Sequence, residues 1–195
     1  DRLTQCQKIF WFPIGSSPDN LSICPGNLIL TGSRPRGVHD WSKAGLNQRL
    51  MVPNVHYGTM DSFLEKLKPR AYMAGPDFQD CFLHWKVHRD SRKWLGLGHP
   101  ITGRLGVFLF VPFGLGPAPG INDRNVVEVV RVCKRQTMDL EVVAFVDDLR
   151  LFNCGPTQLS EQEDRDMLTF KLVEFKENCE YLGMAVHEKP GKLIW

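Results

Sequence analysis

The residues of this sequence best suited to chemistry are aspartates that follow apolar segments. Asp147 and Asp148 stand side by side in the stretch AFVDDLRLF, between two apolar runs that have the composition of buried strands. Such a pair could be no more than a solvated bend, because aspartate tolerates turn geometry. A second stretch, MAGPDFQDCF, places Asp77 directly after another apolar strand and Asp80 three residues later. If the two strands are neighbours, the carboxylates of Asp77, Asp147 and Asp148 are expected to converge.

Converging carboxylates predict a divalent metal ion. Like charges a few ångströms apart repel each other or shift their pKa values unless a cation sits between them. Ligands that are all oxygen suit Mg²⁺, which takes one or two protein carboxylates together with substrate phosphates. Two such ions about 3.5–4 Å apart are the usual arrangement for phosphoryl transfer to a 3′-hydroxyl. The acids therefore indicate magnesium-dependent phosphoryl transfer, with the solvated bend as the simpler alternative.

The elements expected to position the acids are a mixture of strands and helices. LEVVAFV and LRLFN are predicted to form a hairpin around the paired acids, and MAVHE and KLIW are predicted to form a closing strand pair. Upstream, an apolar strand at 28–31 precedes a turn at Gly32-Ser33, and AYMAGPDF, SRKWLGL and RLGVFLFVPF are predicted to be further strands. GTMDSFLEKLK is predicted to be a short amphipathic helix over 58–68, with Met60, Phe63, Leu64 and Leu67 on one face.

Two longer helices complete the pattern. The first has Val126, Val129, Val130 and Cys133 at i, i+3, i+4 and i+7. The second begins at a capping box formed by Ser160 and Glu163 and ends at Gly183. One of its faces carries the apolar residues Leu168, Leu172, Phe175, Cys179 and Leu182. Mixed strands and helices with hairpins predict an α+β fold with an antiparallel sheet.

The bulk composition narrows the class of protein. With 195 residues, 43% apolar and 24% charged, the chain has the composition of a globular protein with a real core. The formal charge of +2 is too small to indicate a general nucleic-acid binder, so any basic surface must be local. Six cysteines without a C-x-x-C pair indicate buried free thiols in a reducing intracellular compartment. No apolar run reaches membrane-spanning length, so we expect no membrane partner.

Several motifs in order along the chain resemble the reverse transcriptases of retrotransposons and retroviruses. PDFQDCFLHWKVHRDSRKWLGL, VPFGLGPAPGI and AFVDDLRLF resemble the palm motifs of that family, and 70 positions separate Asp77 from Asp147. RPRGVHDWSKAGLN resembles the family's fingers strand, and YLGMAVHEKPGKLIW resembles the palm segment that carries a lysine. The resemblance covers about residues 28–195. It implies a right-hand polymerase palm, an antiparallel sheet backed by helices, with a fingers subdomain.

The resemblance also implies a division of the chain. Residues 1–70 would be an N-terminal segment and fingers, 71–84 palm with the first acidic motif, 85–117 fingers, and 118–195 palm with the second acidic motif. The sequence stops before the family's primer-grip hairpin, so we expect it to be a piece of a longer protein, with the thumb absent or supplied by further domains or subunits.

The metal ligands implied by the family are the acids. Asp77 and Asp147 would be the principal ligands of two Mg²⁺ ions, for which Mn²⁺ could substitute, and the backbone carbonyl of Phe78 would join them. Asp148 would complete the catalytic triad more loosely. Two departures from the family pattern lie beside these residues: Cys81 replaces the usual alanine, and Phe145 replaces the commoner tyrosine.

The nucleotide contacts implied by the family lie elsewhere in the sequence. Arg36 would reach triphosphate oxygens, since the guanidinium fork suits phosphate. Asp80 would frame the triphosphate pocket through its backbone amide, and Phe82 would pack under the incoming sugar. Phe113 and Gly114 would form the loop under the nucleotide and template base. Lys189 aligns with the lysine held to protonate the leaving pyrophosphate, although a solvated lysine in a turn is an equally good interpretation.

These residues predict an RNA-directed DNA polymerase that acts on an RNA or DNA template-primer and deoxynucleoside triphosphates. An RNA-templated RNA polymerase on the same palm is disfavoured by Phe82. The alternative from another class is a catalytically silent polymerase-like subunit with a structural role in a larger protein or ribonucleoprotein assembly. A lysine or arginine that takes the place of the metal between Asp77 and Asp147 would favour that alternative.

Overall fold

The computed structural model describes residues 8–16, 18–31, 34–55, 60–67, 72–137, 139–154, 160–187 and 193–194. Within these ranges the side chains of 27–31, 34–36, 60, 62 and 193–194 lie outside the description. The chain folds as two compact units. The first unit comprises Asp1–Pro53 and Phe82–Ile121, and the second comprises Asn54–Cys81 and Asn122–Trp195. The α+β class and the antiparallel sheet expected from the sequence are confirmed.

The described residues form short strands and three α-helices. The strands are β1 (Ile9–Trp11), β2 (Ile23–Cys24), β3 (Gly26–Thr31), β4 (Arg34–His39), β5 (Met73–Ala74), β6 (Asp77–Phe78), β7 (Gly96–Gly98), β8 (Leu105–Phe108), β9 (Leu140–Phe145), β10 (Asp148–Asn153), β11 (Val186–His187) and β12 (Leu193–Ile194). The helices are α1 (Met60–Leu64), α2 (Ala118–Gln136) and α3 (Glu161–Tyr181). Short 3₁₀ turns lie at Asn47–Arg49, Cys81–His84 and Arg89–Trp94.

The first unit contains a four-stranded sheet and a separate hairpin. The sheet has the order β1-β8-β7-β2, in which only β2 and β7 run parallel, and β3 pairs with β4 in the hairpin. Trp41 and Phe108 are buried with Leu97 and Leu115 in its core. Their burial is the main stabilising contribution to this unit, because apolar surface is removed from water.

The second unit is built around strand β10. This strand pairs on one side with β9 and on the other with β5 and β6, all antiparallel. β5 and β6 keep one register along β10, with Ala74 opposite Leu151 and Asp77 opposite Asp148, so they act as a single strand. Pro76 interrupts it because proline has no N–H to donate to the ladder. The single strand expected in AYMAGPDF is thus present in two pieces.

The helices of the second unit bury the faces that their sequence periodicity predicts. Val126, Val130 and Cys133 of α2 are buried, with Val129 half-buried. Leu168, Leu172, Phe175 and Cys179 of α3 are buried as well, while Leu182 lies beyond the helix and is exposed. Opposite them, Leu149, Leu151 and Phe152 of β10 are fully buried.

Helix α3 has caps at both ends. The Ser160 hydroxyl accepts a hydrogen bond from the Glu163 amide at 3.3 Å, and the Glu163 carboxylate accepts from the Ser160 amide at 2.8 Å. At the other end Gly183 has φ +83°, and the amides of Gly183 and Met184 donate to the carbonyls of Glu180 and Cys179. This is the Schellman arrangement, which glycine favours because it lacks a Cβ. The capping box and the glycine terminus are confirmed.

Of three further predictions about local structure, one is wrong, one is met in part and one lies outside the described residues. SRKWLGL is not one strand: Arg89–Trp94 form a 3₁₀ turn, closed by the Arg92 guanidinium donating to the Val87 carbonyl at 3.0 Å, and only Gly96–Gly98 are extended. The helix expected over 58–68 spans only Met60–Leu64 among the described residues, with Leu64 exposed. The turn predicted at Gly32-Ser33 lies outside the described residues.

A second wrong prediction concerns the closing segments. MAVHE and KLIW were expected to pair with each other, but β11 pairs with β6 and β12 pairs with β5. The physical reason is that β5 and β6 present one continuous edge on the side away from β10. An unpaired edge leaves backbone N–H and C=O groups unsatisfied, and the two segments cover it in turn.

The cysteines are free thiols where the structure describes them. Cys24, Cys81, Cys133 and Cys179 are buried, as expected, whereas Cys154 is exposed. The Cys133 and Cys179 sulfurs, on α2 and α3, lie 3.6 Å apart, a hydrogen-bond contact. Among the described residues, none of the helices has the length and apolar character needed to cross a bilayer.

Ser160→Ala should lower the free energy of unfolding by about 1 kcal/mol, because it leaves orphan amides at the start of α3. Urea unfolding followed by circular dichroism measures the change. Glu177→Gln, an exposed substitution on the same helix, is the matched control and should change little. Equal stability of Ser160→Ala and the unsubstituted chain would contradict the capping role.

Candidate active site

The central feature of the second unit is a pair of aspartates in cross-strand register. Asp77 of β6 lies directly opposite Asp148 of β10. The Phe78 amide donates to the Asp147 carbonyl at 2.9 Å, and the Leu149 amide donates to the Pro76 carbonyl at 2.9 Å. These bonds flank the pair, so Asp77 and Asp148 occupy a non-hydrogen-bonded position, where facing side chains come closest.

Two like charges in that position repel each other. Side chains directly opposite on one sheet face have Cβ atoms about 4.5–5.5 Å apart, and like charges in such a pair destabilise the sheet. The Asp77 carboxylate is only 8% exposed, so water screens it poorly. The arrangement therefore favours a bound cation, or a protein cation, beside these carboxylates.

Asp147 lies in the turn of the same hairpin, half-buried and adjacent in sequence to Asp148. The turn has an unusual backbone, since Val146 has φ +60°. A β-branched residue with positive φ is a genuine outlier, and such conformations cost about 1–3 kcal/mol each. The strained residue immediately precedes Asp147 in the turn. Its backbone conformation therefore helps to determine where the Asp147 side chain is placed.

The turn is held by buried hydrogen bonds. The Asn122 side chain of α2 is fully buried, and its amide nitrogen donates to the Val146 carbonyl at 3.0 Å. The Cys81 thiol donates to the Asn122 amide oxygen at 2.9 Å. Burial raises the pKa of the Cys81 thiol to about 12; the hydrogen bond with Asn122 lowers this pKa and the Asp147 charge raises it, both by less than burial does, so the thiol remains a donor at neutral pH. One amide thus links the segment after Asp77 to the turn before Asp147.

Two further side chains share the sheet face that carries the acids. Phe145 lies opposite Asp148, and His187 of β11 lies opposite Asp77, so the four form a row across the strands. Phe145 is 54% exposed, which is unusual for a large apolar ring. The acids therefore have an aromatic ring on one side and an imidazole on the other.

A protein cation approaches one end of the row. Arg150, two residues along β10 from Asp148, has its Nη1 atom 3.9 Å from the Asp148 carboxylate. Both side chains are partly exposed, at 32% and 46%, so the attraction is screened and contributes little. Arg150 also donates to the Leu149 carbonyl at 2.7 Å. A metal ion bound by Asp148 would therefore lie close to the positively charged Arg150 side chain.

The donor chemistry at this end of the sheet fits magnesium in part. Among the described residues, no group of three or more His, Cys, Asp or Glu side chains is close enough to hold a metal ion. The expected convergence of three carboxylates is therefore met only for the facing pair, with Asp147 beside it in the turn. Because Mg²⁺ commonly takes one or two protein carboxylates plus substrate phosphates, this donor set suits an ion that arrives with its substrate.

The predicted nucleotide-binding residues fall mostly in the first unit. The rings of Phe82 and Phe113 meet edge to face with centroids 5.1 Å apart. Phe82 is half-buried against the core, whereas Phe113 is 55% exposed. Their contact joins two motifs, PDFQDCF and VPFGLG, that lie 31 positions apart at these phenylalanines. That the pair meets nucleotide stays a prediction.

The loop that carries Phe113 and Gly114 is held by two residues of the HDWSKAGLN segment. Trp41 donates its indole N–H to the Phe113 carbonyl at 2.9 Å. Asn47 donates to the Gly114 carbonyl at 3.1 Å and accepts from the Gly116 amide at 2.7 Å. Gly114 has φ +81°, a conformation that glycine adopts without strain. The loop is thus rigidly placed against its own unit.

The remaining predicted residues are described only in part. Arg36 lies in β4 opposite Ile29, with its side chain outside the description. Lys189 lies outside the described residues. Asp80 follows β6 with φ +51°, a left-handed conformation that aspartate tolerates better than most residues. Their contacts with nucleotide stay predictions.

A cationic cleft in the second unit does not belong to the acidic site. It has a volume of about 480 Å³ and is lined by Lys66, Lys134, Arg135 and Ala144 among others. Ala144 lies opposite Leu149, whereas its neighbour Phe145 lies opposite Asp148. Glu141 also lines the cleft, where it pairs with Lys66 at 2.9 Å, and by strand alternation it lies on the same face as Phe145. The cleft therefore includes residues from both faces of β9, but none of the three acids lines it.

The sequence interpretation missed Asn122 and Val146. Asn122 is in phase with Val126, Val130 and Cys133 on the apolar stripe of α2, and a polar residue in such a stripe is a detectable signal. Positive φ at Val146 has no local signal, because valine disfavours it. His187 was also missed, since its register with Asp77 depends on long-range pairing.

The chain was compared with known proteins. A scan against protein-family models gave no match, and a search of the curated proteins found no similar sequence.

Proposed function

We propose that this chain carries the fingers and palm of an RNA-directed DNA polymerase and transfers deoxynucleotides by a two-metal mechanism. The observation that carries the proposal is the register of Asp77 against Asp148, with Asp147 in the adjoining turn. Motif order in the sequence also supports it, because Asp77, Asp147 and Asp148 stand at the positions and spacing that the family resemblance implies. Carboxylates that repel each other beside a strained turn lower the stability of the fold. A reaction that depends on a bound cation would explain why they are there.

In the proposed reaction the primer 3′-oxygen attacks the α-phosphorus of a deoxynucleoside triphosphate, and pyrophosphate leaves. Magnesium bound with the substrate would polarise the attacked phosphate and stabilise the charge that develops on it. Asp77 and Asp147 would hold the metal, with the Phe78 carbonyl beside them and Asp148 in a supporting role. The chain's contribution is then positioning, because these groups are fixed before the substrate arrives.

The family resemblance assigns nucleotide contacts to Arg36, Phe82, Phe113 and Gly114 of the first unit and to Asp80 and Lys189 of the second. Phe82, edge to face against Phe113, would lie under the sugar, and the Phe113-Gly114 loop would support the base. Arg36 and the Asp80 amide would contact triphosphate oxygens, and Lys189 would protonate the leaving pyrophosphate. The partners are an RNA or DNA template-primer and deoxynucleoside triphosphates.

A structural role without catalysis is the second candidate, and Arg150 is the observation that favours it. An arginine 3.9 Å from Asp148 can neutralise part of the acidic charge without metal. In that case the chain would be a polymerase-like subunit that docks other protein or RNA. The two candidates differ in whether Mg²⁺ or Arg150 stabilises the acids.

Asp147→Asn should abolish primer extension while the fold is retained, since it removes a metal ligand and one charge of a repelling cluster. Because the chain without a thumb is expected to extend a primer poorly, extension of a labelled primer is measured in a protein to which a thumb has been restored, with and without the substitution, and circular dichroism checks the fold. Asp166→Asn, exposed on α3, is the matched control and should leave extension unchanged. Extension by Asp147→Asn at a normal rate would exclude the proposed chemistry.

Mg²⁺ with a deoxynucleoside triphosphate should raise the melting temperature of the unsubstituted chain. A ligand at a hundred times its Kd stabilises by about 2.7 kcal/mol, which corresponds to about 5–10 °C for a protein of this size. Asp77→Asn should lose this increase, and Arg150→Ala should keep it. The opposite pattern, no metal effect and a large loss of stability in Arg150→Ala, would support the structural candidate.

Phe82→Val should admit ribonucleotides while deoxynucleotide use falls only modestly. A ring packed under the sugar excludes the 2′-hydroxyl by volume, because a packed pocket cannot relax cheaply around an extra atom. Single-nucleotide incorporation with paired ribo- and deoxy-substrates measures the ratio. If Phe82 is only a core aromatic, use of both substrates will drop in parallel and the ratio will not change.

A further inference from the structure

Asn122 is a fully buried polar residue that contacts both the acidic hairpin and the segment after Asp77. Its amide nitrogen donates to the Val146 carbonyl at 3.0 Å, and its amide oxygen accepts from the Cys81 thiol at 2.9 Å. The Cys81 sulfur is also 4.0 Å from the Val146 carbonyl. A single side chain on α2 thus ties together the two backbone segments that carry the acids.

The turn that Asn122 contacts would not hold its shape by itself. Val146 has φ +60°, which valine disfavours because its branched Cβ crowds the backbone. The next carbonyl, that of Asp147, accepts from the Phe78 amide at 2.9 Å. If Val146 relaxed to a negative φ, the following peptide would rotate. That rotation would break the bond to Phe78 and move Asp147 away from Asp77.

The Cys81 thiol helps to determine which way the Asn122 amide points. An asparagine amide can place either its oxygen or its nitrogen toward a neighbour. The Val146 carbonyl can only accept, so it takes the amide nitrogen, and the protonated thiol donates to the amide oxygen; the two partners therefore favour the same orientation of the amide. Alanine, the residue expected here from the family pattern, could not do this. Cys81 and Asn122 therefore act together.

We propose that Asn122, oriented by Cys81, is a positioning residue that holds Val146 in its left-handed conformation and thereby fixes Asp147 beside Asp77. This inference rests on the proposed function, because it gives Asn122 the role of placing a proposed metal ligand. The hydrogen bonds themselves can nevertheless be tested without catalysis. We call these three residues, Cys81, Asn122 and Val146, the turn clamp. Partners that orient metal ligands in this way typically affect metal affinity by about 10–100-fold.

Asn122→Asp is the most direct test of the turn clamp. It keeps the side-chain volume and the acceptor for the Cys81 thiol, but in its ionised form, which is favoured by measuring at alkaline pH, it cannot donate to the Val146 carbonyl. Hydrogen exchange of the Phe78 amide, measured by NMR without metal, should become about tenfold faster or more. Mn²⁺ binding, measured by titration calorimetry, should weaken by about 10–100-fold. Cys133→Ala, fully buried elsewhere on α2, is the control and should change neither value.

Val146→Gly provides a rescue that a general packing role would not show. Glycine adopts positive φ without strain, so the turn no longer depends on the clamp. Asn122→Asp combined with Val146→Gly should restore much of the Phe78 amide protection lost in Asn122→Asp alone. Such non-additivity is the signature of residues that act on one element.

The proposal is overturned if Asn122→Asp leaves the Phe78 amide exchange unchanged, or if Val146→Gly rescues none of the loss. Should Asn122→Asp fail to fold, Cys81→Ala is the milder variant, and the same two outcomes decide. Failure of the proposed function is separate: it would show as no metal binding and no extension in the unsubstituted chain. Amide exchange needs neither metal nor nucleotide, so it reports on the clamp alone.

Discussion

Repulsion between two carboxylates is the constraint around which the second unit is arranged. Asp77 and Asp148 face each other in the closest type of antiparallel pair, and Asp77 is almost fully buried. A fold gains nothing from this placement, because like charges across strands destabilise the sheet and poorly screened ones do so most. The surrounding elements keep the pair in place: β10 is paired on both sides, its Leu149, Leu151 and Phe152 are buried, and it packs against α3. Stability supplied by that core permits a local arrangement that is unfavourable by itself.

The strained turn is a second locally unfavourable arrangement that the surrounding structure maintains. Val146 with positive φ costs free energy, and it stands immediately before Asp147. Buried hydrogen bonds from Asn122 offset that cost, and an amide inside a low-dielectric core makes stronger bonds than one in water. Charge repulsion and backbone strain thus fall within a few residues of one another, beside Cys81 and Phe78. Such concentration is typical of functional sites, where a fold departs locally from its most stable arrangement.

Features that depend on residues close together in the sequence could be predicted from it, whereas features that depend on long-range pairing could not. Helix α3 was foreseen together with its caps, because Ser160, Glu163 and Gly183 act on neighbouring backbone groups. The β9–β10 hairpin was foreseen because its alternation is local. By contrast, β11 and β12 were assigned to each other, and their true neighbours depend on an edge formed more than a hundred residues earlier in the chain. The acids were selected by type and spacing, whereas their register, the Asn122 contact and the Val146 conformation required three dimensions.

The most direct measurement of the central claim is a crystal structure of the chain with Mn²⁺ and a non-hydrolysable deoxynucleoside triphosphate, using the anomalous signal of manganese. The account predicts anomalous peaks within coordination distance of the Asp77 and Asp147 carboxylates, with triphosphate oxygens completing the ligand set. An absence of manganese there, with the Arg150 guanidinium between the carboxylates instead, would contradict it.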